Sequence, residues 1–585
     1  MLNSKFIYVI LFCLSLGSLL GYSQKPNVII VMADDMGYGD LGAHGNPLIK
    51  TPNLDNLSKE SVSFDNFYVS PVCAPTRASL LTGRYNIRTG VFDTYSGGAI
   101  MATEEETIAE IFKDHGYATG IFGKWHLGDS YPSRPQDQGF EESVWHLSGG
   151  IGQVGDVFNY YKGNTSYFDP VLFRNGEVFE SSGYCSDVYT DELISFVENN
   201  DDKQFLAYLS FNAPHTPLQV PEVYYEQYKS LEFDSDYFEK NGQYVHEMNE
   251  KNKEDARKVY AMVSNIDDNV GRLISSLKKK NIYDNTIIIF MTDNGPQQYR
   301  YVGGYRGLKG QVREGGIHVP FYLKNVKNQK NTNAIEAPAA HIDVLPTLAE
   351  LCGIELSEQL NLDGISFAKS LSENKQLKER PLFFEWQRSY PEKYRNMAVL
   401  DNGYKLIGNT KSHNESNQFE LYNLNIDPFE SNDISEENSE IVQKLQSKLD
   451  DWYDDIMSSE HIKKPPRTII GSPNETHTIL NRNDARGMQL IWADEQMYVR
   501  WDLNIIKKGN YKIICHFRKP IPDPGELIIR LGTQNFSKKI TANNIESATY
   551  ENVLLNEGEV ALEGWYYSGW GQKHYTPFYI ELIQL

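Results

Sequence analysis

Four continuous apolar runs, each ending in polar residues, organise the first half of the chain. Asn27-Val-Ile-Ile-Val-Met-Ala33 leads into Asp34-Asp35, and Tyr117-Ala-Thr-Gly-Ile-Phe122 into Gly123-Lys124-Trp125-His126. Phe205-Leu-Ala-Tyr-Leu-Ser-Phe211 leads into Asn212-Ala-Pro-His215, and Thr286-Ile-Ile-Ile-Phe-Met291 into Thr292-Asp293-Asn294-Gly295. Unbroken apolar runs suit strands buried on both faces of a parallel sheet. Helical patterns lie between them. Thr103 and Glu106 have capping-box spacing ahead of Ile108, Ile111 and Phe112. Tyr260, Val263, Ile266, Val270, Leu273 and Leu277 recur at helical spacing. This alternation predicts an α/β domain over 24–374 with a mostly parallel sheet flanked by helices. Ligands of such sheets bind outside the carboxyl ends of the strands. All four polar clusters fall there, so one shared site is the economical reading.

The pattern changes twice downstream. Phe383–Trp386, Met397–Leu400 and Tyr404–Ile407 read as short strands, with a turn at Asp401-Asn402-Gly403 and a helix from Glu440 to Met457. They predict a smaller α+β subdomain over 375–460. Lys463-Lys464-Pro465-Pro466 has the look of a linker. From about 470 to 585 the runs Tyr498–Leu503, Tyr511–Phe517, Leu527–Leu531 and Phe578–Ile583 alternate, as in a β-sandwich. Its Trp565, Tyr566, Tyr567, Trp570 and Tyr575 are either sandwich core or a platform for sugar rings, with core the better supported.

At 585 residues the chain exceeds what one core usually serves. Residues 1–23 carry Lys5, an apolar stretch from Phe6 to Leu20 and small residues near Ser23. That is the pattern of a cleaved secretory signal, and it is short for a membrane span. The expectation is an exported protein, periplasmic by preference with full secretion as the alternative, and without a membrane span. Cleavage leaves Cys73, Cys185, Cys352 and Cys515, too few and too scattered for a disulfide framework. A formal net charge of −22 argues against nucleic-acid binding.

Asp34, Asp35, Asp293 and Asn294 together offer three carboxylates and an amide oxygen. Such hard donors suit Ca²⁺, with Mg²⁺ as the alternative, and adjacent acids at a strand end repel without a cation. Acids in a solvated loop are the plain alternative, less expected at the ends of apolar strands. Cys73, in Pro71-Val-Cys-Ala-Pro-Thr-Arg77, stands at the mouth of a helix-like run. Its plain reading is a small buried hydrophobe.

Cys73, Pro75 and Arg77, continued by Ala78-Ser-Leu-Leu-Thr-Gly-Arg84, resemble the Cys-x-Pro-x-Arg signature of type I sulfatases. The other clusters resemble that family's remaining motifs in order: Asp34–Gly42, Gly123-Lys-Trp-His126, Pro214-His-Thr-Pro217, Thr292-Asp-Asn-Gly295, and Arg306-Gly-Leu-Lys309 with Glu314-Gly-Gly-Ile317. Glu420–Glu430 resembles the family's C-terminal subdomain. The resemblance spans about 27–460 and implies an alkaline-phosphatase-like sheet. It implies that Cys73 is oxidised to formylglycine by a maturation enzyme. Asp34, Asp35, Asp293 and Asn294 would hold one ion, usually calcium, with modified Cys73 and substrate sulfate completing its shell.

By the same resemblance, hydrated formylglycine at 73, oriented by Arg77, attacks sulfur. Lys124 and Lys309 neutralise sulfate oxygens, His215 protonates the leaving alcohol, and His126 takes the proton that releases sulfate. A local cation and these lysines make the pocket positive on an acidic surface. The family usually has Arg where this chain has His318, and Arg313 is a candidate to compensate. The expected substrate is a sulfated polysaccharide or oligosaccharide, with algal polymers such as ulvan, carrageenan or fucoidan ahead of glycosaminoglycans. The alternatives are a phosphonate or phosphodiester hydrolase of the same superfamily and a non-catalytic glycan-binding protein.

Overall fold

The computed structural model describes residues 25–200, 202–233, 244–325, 334–373, 377–409, 418–487, 495–569 and 573–585. The expected signal segment and Trp570 lie outside them. The apolar runs form the middle of a nine-stranded sheet. Thr286–Thr292, Asn27–Ala33, Phe205–Ser210, Ala118–Lys124 and Glu142–His146 lie side by side, all parallel. Antiparallel strands close both edges: Phe321–Lys324 and Val62–Ser63 on one side, Val171–Arg174 and Glu177–Glu180 on the other.

Burial on both faces explains the unbroken apolar runs. Val28, Ile30 and Met32 enter one core, with the helices Cys73–Thr82, Ile108–Asp114 and Val344–Leu351. Ile29 and Val31 enter the other, with Pro52–Lys59, Cys185–Asn199 and the long helix Glu250–Lys279. The register pairs Met32 with both Met291 and Ser210, and Gly123 with Ser210. The carboxyl ends of the four motif-bearing strands therefore share one edge of the sheet.

One local expectation is corrected. The capping box ahead of Ile108 is made by Thr107 and Glu110, not by Thr103 and Glu106. Thr107 Oγ1 accepts from the Glu110 amide at 3.2 Å, and Glu110 Oε2 accepts from the Thr107 amide at 2.8 Å. Both pairs have the right spacing, but the helix begins at Ile108, and a box acts only at the residue just before the helix.

Leu382–Glu385, Arg395–Asp401, Tyr404–Asn409 and Phe419–Asn423 form a four-stranded antiparallel sheet covered by the helix Ser439–Ile456. The supposed linker is partly structured: Glu460–Lys463 is a helical turn. Beyond it, two sheets enclose a separate core. Thr468–Ile470, Val499–Ile505, Gly558–Ser568, Gly525–Leu531 and Gln534–Ile540 order one sheet. His477–Leu480, Tyr579–Gln584, Gly509–Ile521 and Ile545–Leu555 order the other. The aromatic question divides by side chain, since Tyr566 is core, Tyr567 is exposed, and Trp565 and Tyr575 are half-buried.

Candidate active site

Cys73 opens the helix Cys73–Thr82 and is buried, with Sγ 3.4 Å from His126 Nδ1. Burial pushes its thiol pKa up, against the lowering pull of Lys124 and Lys309. As a thiol it is therefore a poor nucleophile. Arg77, one turn along the same helix, is fully buried. Its Nη2 donates to Asp293 Oδ2 at 2.8 Å and its Nη1 to the Lys124 carbonyl at 3.2 Å and to Ser210 Oγ. Arg77 thus ties three strand ends together.

The acids converge as expected. Asp34 Oδ2 accepts from Lys124 Nζ at 2.6 Å. Asp35 Oδ1 accepts from Lys309 Nζ at 2.5 Å and Asn294 Nδ2 at 2.8 Å. Asp293 Oδ1 accepts from the Asp35 amide at 3.1 Å. Three buried oxygens of this cluster have no donor among the described residues: Asp34 Oδ1, Asp35 Oδ2 and Asn294 Oδ1. Buried polar atoms are rarely left so. Ligand atoms of Asp34, Cys73 and Asp293, and of Asp34, Asp35 and His215, lie within 4.8 Å of one another. A hard divalent cation fits this donor set. Burial, and then Asp34 beside it, raise Asp293 to about 6, the repulsion a cation would relieve. At Asp35, burial also pushes upward, but Lys309 and His215 outweigh it and hold the carboxyl well below its ordinary range.

The histidines are fixed in different tautomers. His126 Nε2 lies 2.7 Å from the Thr94 carbonyl, so it carries the proton and Nδ1 turns its lone pair toward residue 73. Burial and then Lys124 hold this imidazole neutral. His215 Nδ1 lies 2.8 Å from the Thr216 carbonyl, leaving Nε2 toward Asp35 Oδ2 at 3.6 Å. Burial, then Lys309, push His215 down to about 3. Asp35 and His126 both take φ of +64°, a left-handed conformation that residues other than glycine seldom adopt. Gly123, with φ +119°, is obligatory because a Cβ there would fall 1.9 Å from the Ser210 carbonyl oxygen.

Every predicted site residue lies in this constellation: Lys124, His126 and Cys73 against one flank of the acids, Lys309 and His215 against Asp35. Motif reading gave no part to Arg300, which is buried, chelates Asp40 through Nε and Nη2, and donates from Nη2 to the Asp35 carbonyl at 2.8 Å. The signal was Asp40, inside the first motif but lacking an assigned role. His318 bridges Glu314 at 3.0 Å and the Asp65 carbonyl at 2.7 Å. Arg313 instead reaches Glu420 at 2.5 Å.

The family model Sulfatase matches residues 26–354, more than half of the chain. The model N-sulphoglucosamine sulphohydrolase, C-terminal, matches 308–455. The chain is 27% identical to Arylsulfatase J of Mus musculus over 503 residues, 76% of this chain and 79% of that protein. It is 28% identical to the Ulvan-active sulfatase of Formosa agariphila over 488 residues, 79% of this chain and 88% of that protein. Among solved structures, Ps i-CgsB in complex with k-i-k-neocarrahexaose superposes with a TM-score of 0.64 at 29% identity, covering 75% of this chain and 94% of the other.

Proposed function

The chain belongs to the sulfatase family and is a sulfuric ester hydrolase, and we propose that it removes sulfate from a sulfated polysaccharide or its oligosaccharides, with algal polymers the leading class. The observation that carries the reading is the convergence of three donorless buried oxygens, Cys73 and two lysines at one edge of the sheet. The carbohydrate class is supported by relatives named for ulvan activity and solved with a carrageenan-type hexaose. Asp34, Asp35, Asp293 and Asn294 would hold the cation, calcium in preference to magnesium, and it would supply charge for the sulfate oxygens. Formylglycine at position 73, formed by a maturation enzyme, would supply the nucleophile.

The chain's own groups then divide the remaining work. Lys124 and Lys309 bind and neutralise sulfate oxygens in a dry site, where such charge is most effective. Arg77 holds Asp293 and the helix that carries residue 73. His126 Nδ1, 3.4 Å from Cys73 Sγ, would take a proton from a hydroxyl on the modified residue. His215 Nε2, once protonated, would give a proton to the departing sugar oxygen. Burial and then Lys309 hold this ring low, and a bound sulfate would pull its pKa upward. A cleft of about 900 Å³ opens beside Thr216 and Pro217, lined also by Asn164, Tyr225, Lys258 and Tyr299, and offers room for the sugar on the His215 side. Among the described residues no helix is long and apolar enough to cross a membrane, and the leading pattern supports export.

The test is sulfate release from ulvan, carrageenan, fucoidan and glycosaminoglycan oligosaccharides, using protein whose Cys73 conversion has been measured. At least one sulfated sugar should be hydrolysed, with chelation abolishing turnover and Ca²⁺ restoring it better than Zn²⁺. Asp293→Ala should mimic chelation. Turnover confined to phosphonates or phosphodiesters would overturn the substrate class. Normal metal content and rate in Asp293→Ala would displace the metal site.

A further inference from the structure

The C-terminal two-sheet unit is fused to the catalytic sheet. Phe578 is fully buried in the same core as Val28 and Met32. Its ring lies 4.9 Å from that of Tyr160. Beside it, residues 481–485 form a turn between the strands His477–Leu480 and Arg486–Gly487, buried at every position. Asn481 shapes this turn, its Oδ1 accepting from the amides of Asn483 at 2.8 Å and Asp484 at 3.2 Å. Its carbonyl takes Trp501 Nε1 at 2.6 Å. Its Nδ2 crosses to the catalytic side and donates to Asp129 Oδ2 at 2.6 Å. Asp129 returns a bond from its amide to Asp484 Oδ2 at 2.9 Å.

These contacts reach both walls around His126. Asp129 Oδ2 also accepts from the Ser148 amide at 2.8 Å. The next residue, Gly149, lies so close to the His126 ring that a Cβ would fall 2.4 Å from it. On the other side, the Asn483 carbonyl accepts from the Gly97 amide at 3.0 Å. That loop carries Thr94, whose carbonyl holds His126 Nε2. Ser148 Oγ adds a bond to Asn483 Oδ1 at 3.3 Å.

We propose that the turn 481–485 is a positioning element of the active site. Asn481 acts through Asp129 and Ser148, and Asn483 acts through Gly97, to hold the two loops that aim the His126 ring at residue 73. The proposal rests on the reading of His126 as a site base. It gives the C-terminal unit a role in turnover of even the smallest substrate, which a detachable glycan-binding module would not have. An ångström of misplacement is enough to matter, costing on the order of 10²-fold.

The experiment compares Asn481→Ala, His126→Ala and Leu527→Ala in the full-length enzyme on a small aryl sulfate. Leu527 lies in the C-terminal core and reports what simple weakening of that unit does. Asn481→Ala should lower kcat by roughly 10- to 100-fold with KM changed less than about twofold. Amide hydrogen exchange should quicken in peptides covering 94–98 and 147–151. Leu527→Ala should lower the melting temperature and leave kcat alone. Should Asn481→Ala fail to fold, Asn481→Ser keeps an acceptor for the turn, loses the reach to Asp129 and carries the same expectations. Wild-type kcat in the folded Asn481 variant, or an equal kcat loss in Leu527→Ala, overturns the proposal. Full activity in His126→Ala would mean that the site reading has failed; a slow His126→Ala beside a fast Asn481 variant would mean that only the buttress has.

Discussion

His126 and His215 expose different nitrogens to the cluster, and the backbone decides which. Thr94 fixes the proton on Nε2 of one ring and Thr216 fixes it on Nδ1 of the other. A neutral ring with a free Nδ1 toward residue 73 suits a base, and a ring beside Asp35 and Lys309 suits a group that gains a proton when a sulfate arrives. The two proposed roles separate by leaving group. His215→Ala should slow sugar sulfates far more than an aryl sulfate, because a phenolate departs without a proton and a sugar alkoxide does not. His126→Ala should slow both substrates alike. Steady-state rates of each variant on a matched pair decide it, and equal losses in His215→Ala would assign His215 to sulfate binding instead.

Among the elements, the loop that delivers Lys309 has its own anchor. Lys405, fully buried on the strand Tyr404–Asn409, is 2.7 Å from Glu314 Oε1 and 2.8 Å from Glu430 Oε1. The Glu314 amide donates to Glu430 Oε2 at 3.0 Å, and the Gly315 amide to the Arg306 carbonyl at 2.7 Å. Burial pushes Glu314 upward, but Lys405 and His318 together outweigh it and bring the carboxyl to about 2. Lys405→Met would remove the ammonium shared by two buried carboxylates, leaving Glu314 with His318 and Tyr68, and should destabilise by about 3–5 kcal/mol. Glu314's contribution is present above its ordinary 4.5 and lost as pH falls through about 2, so in urea melts the gap from wild type should narrow in acid. A constant gap across that range would remove Glu314 from the account. The Glu-Gly-Gly motif was legible in sequence, but its anchor was not, because Lys405 and Glu430 lie far along the chain. Local spacing also misplaced the capping box, where Thr103 and Thr107 offered equivalent patterns and the helix start selected one.

At the scale of the whole molecule, sequence was most informative where the sheet is deepest. The four apolar runs became parallel neighbours because strands buried on both faces have no polar alternation to disguise them. Their polar ends shared one edge for the same topological reason. The aromatics near 565 were harder, since alternation assigns Tyr566 and Tyr567 to opposite faces but does not say which face is inside. The union of the C-terminal unit with the His126 loops was illegible, since nothing local in Asn481–Ala485 marks the residues it meets more than 300 positions earlier. Positive charge buried within an acidic chain follows the same logic, as Lys124, Lys309 and Arg77 are each held by an acid of the cluster. These groups are proposed to serve a modified residue 73 and not a thiol. The direct measurement is peptide mass spectrometry of position 73 across preparations of differing activity. Turnover should rise in proportion to the aldehyde fraction and extrapolate to zero when all of the residue is cysteine. Full turnover from protein carrying only the thiol would contradict the account.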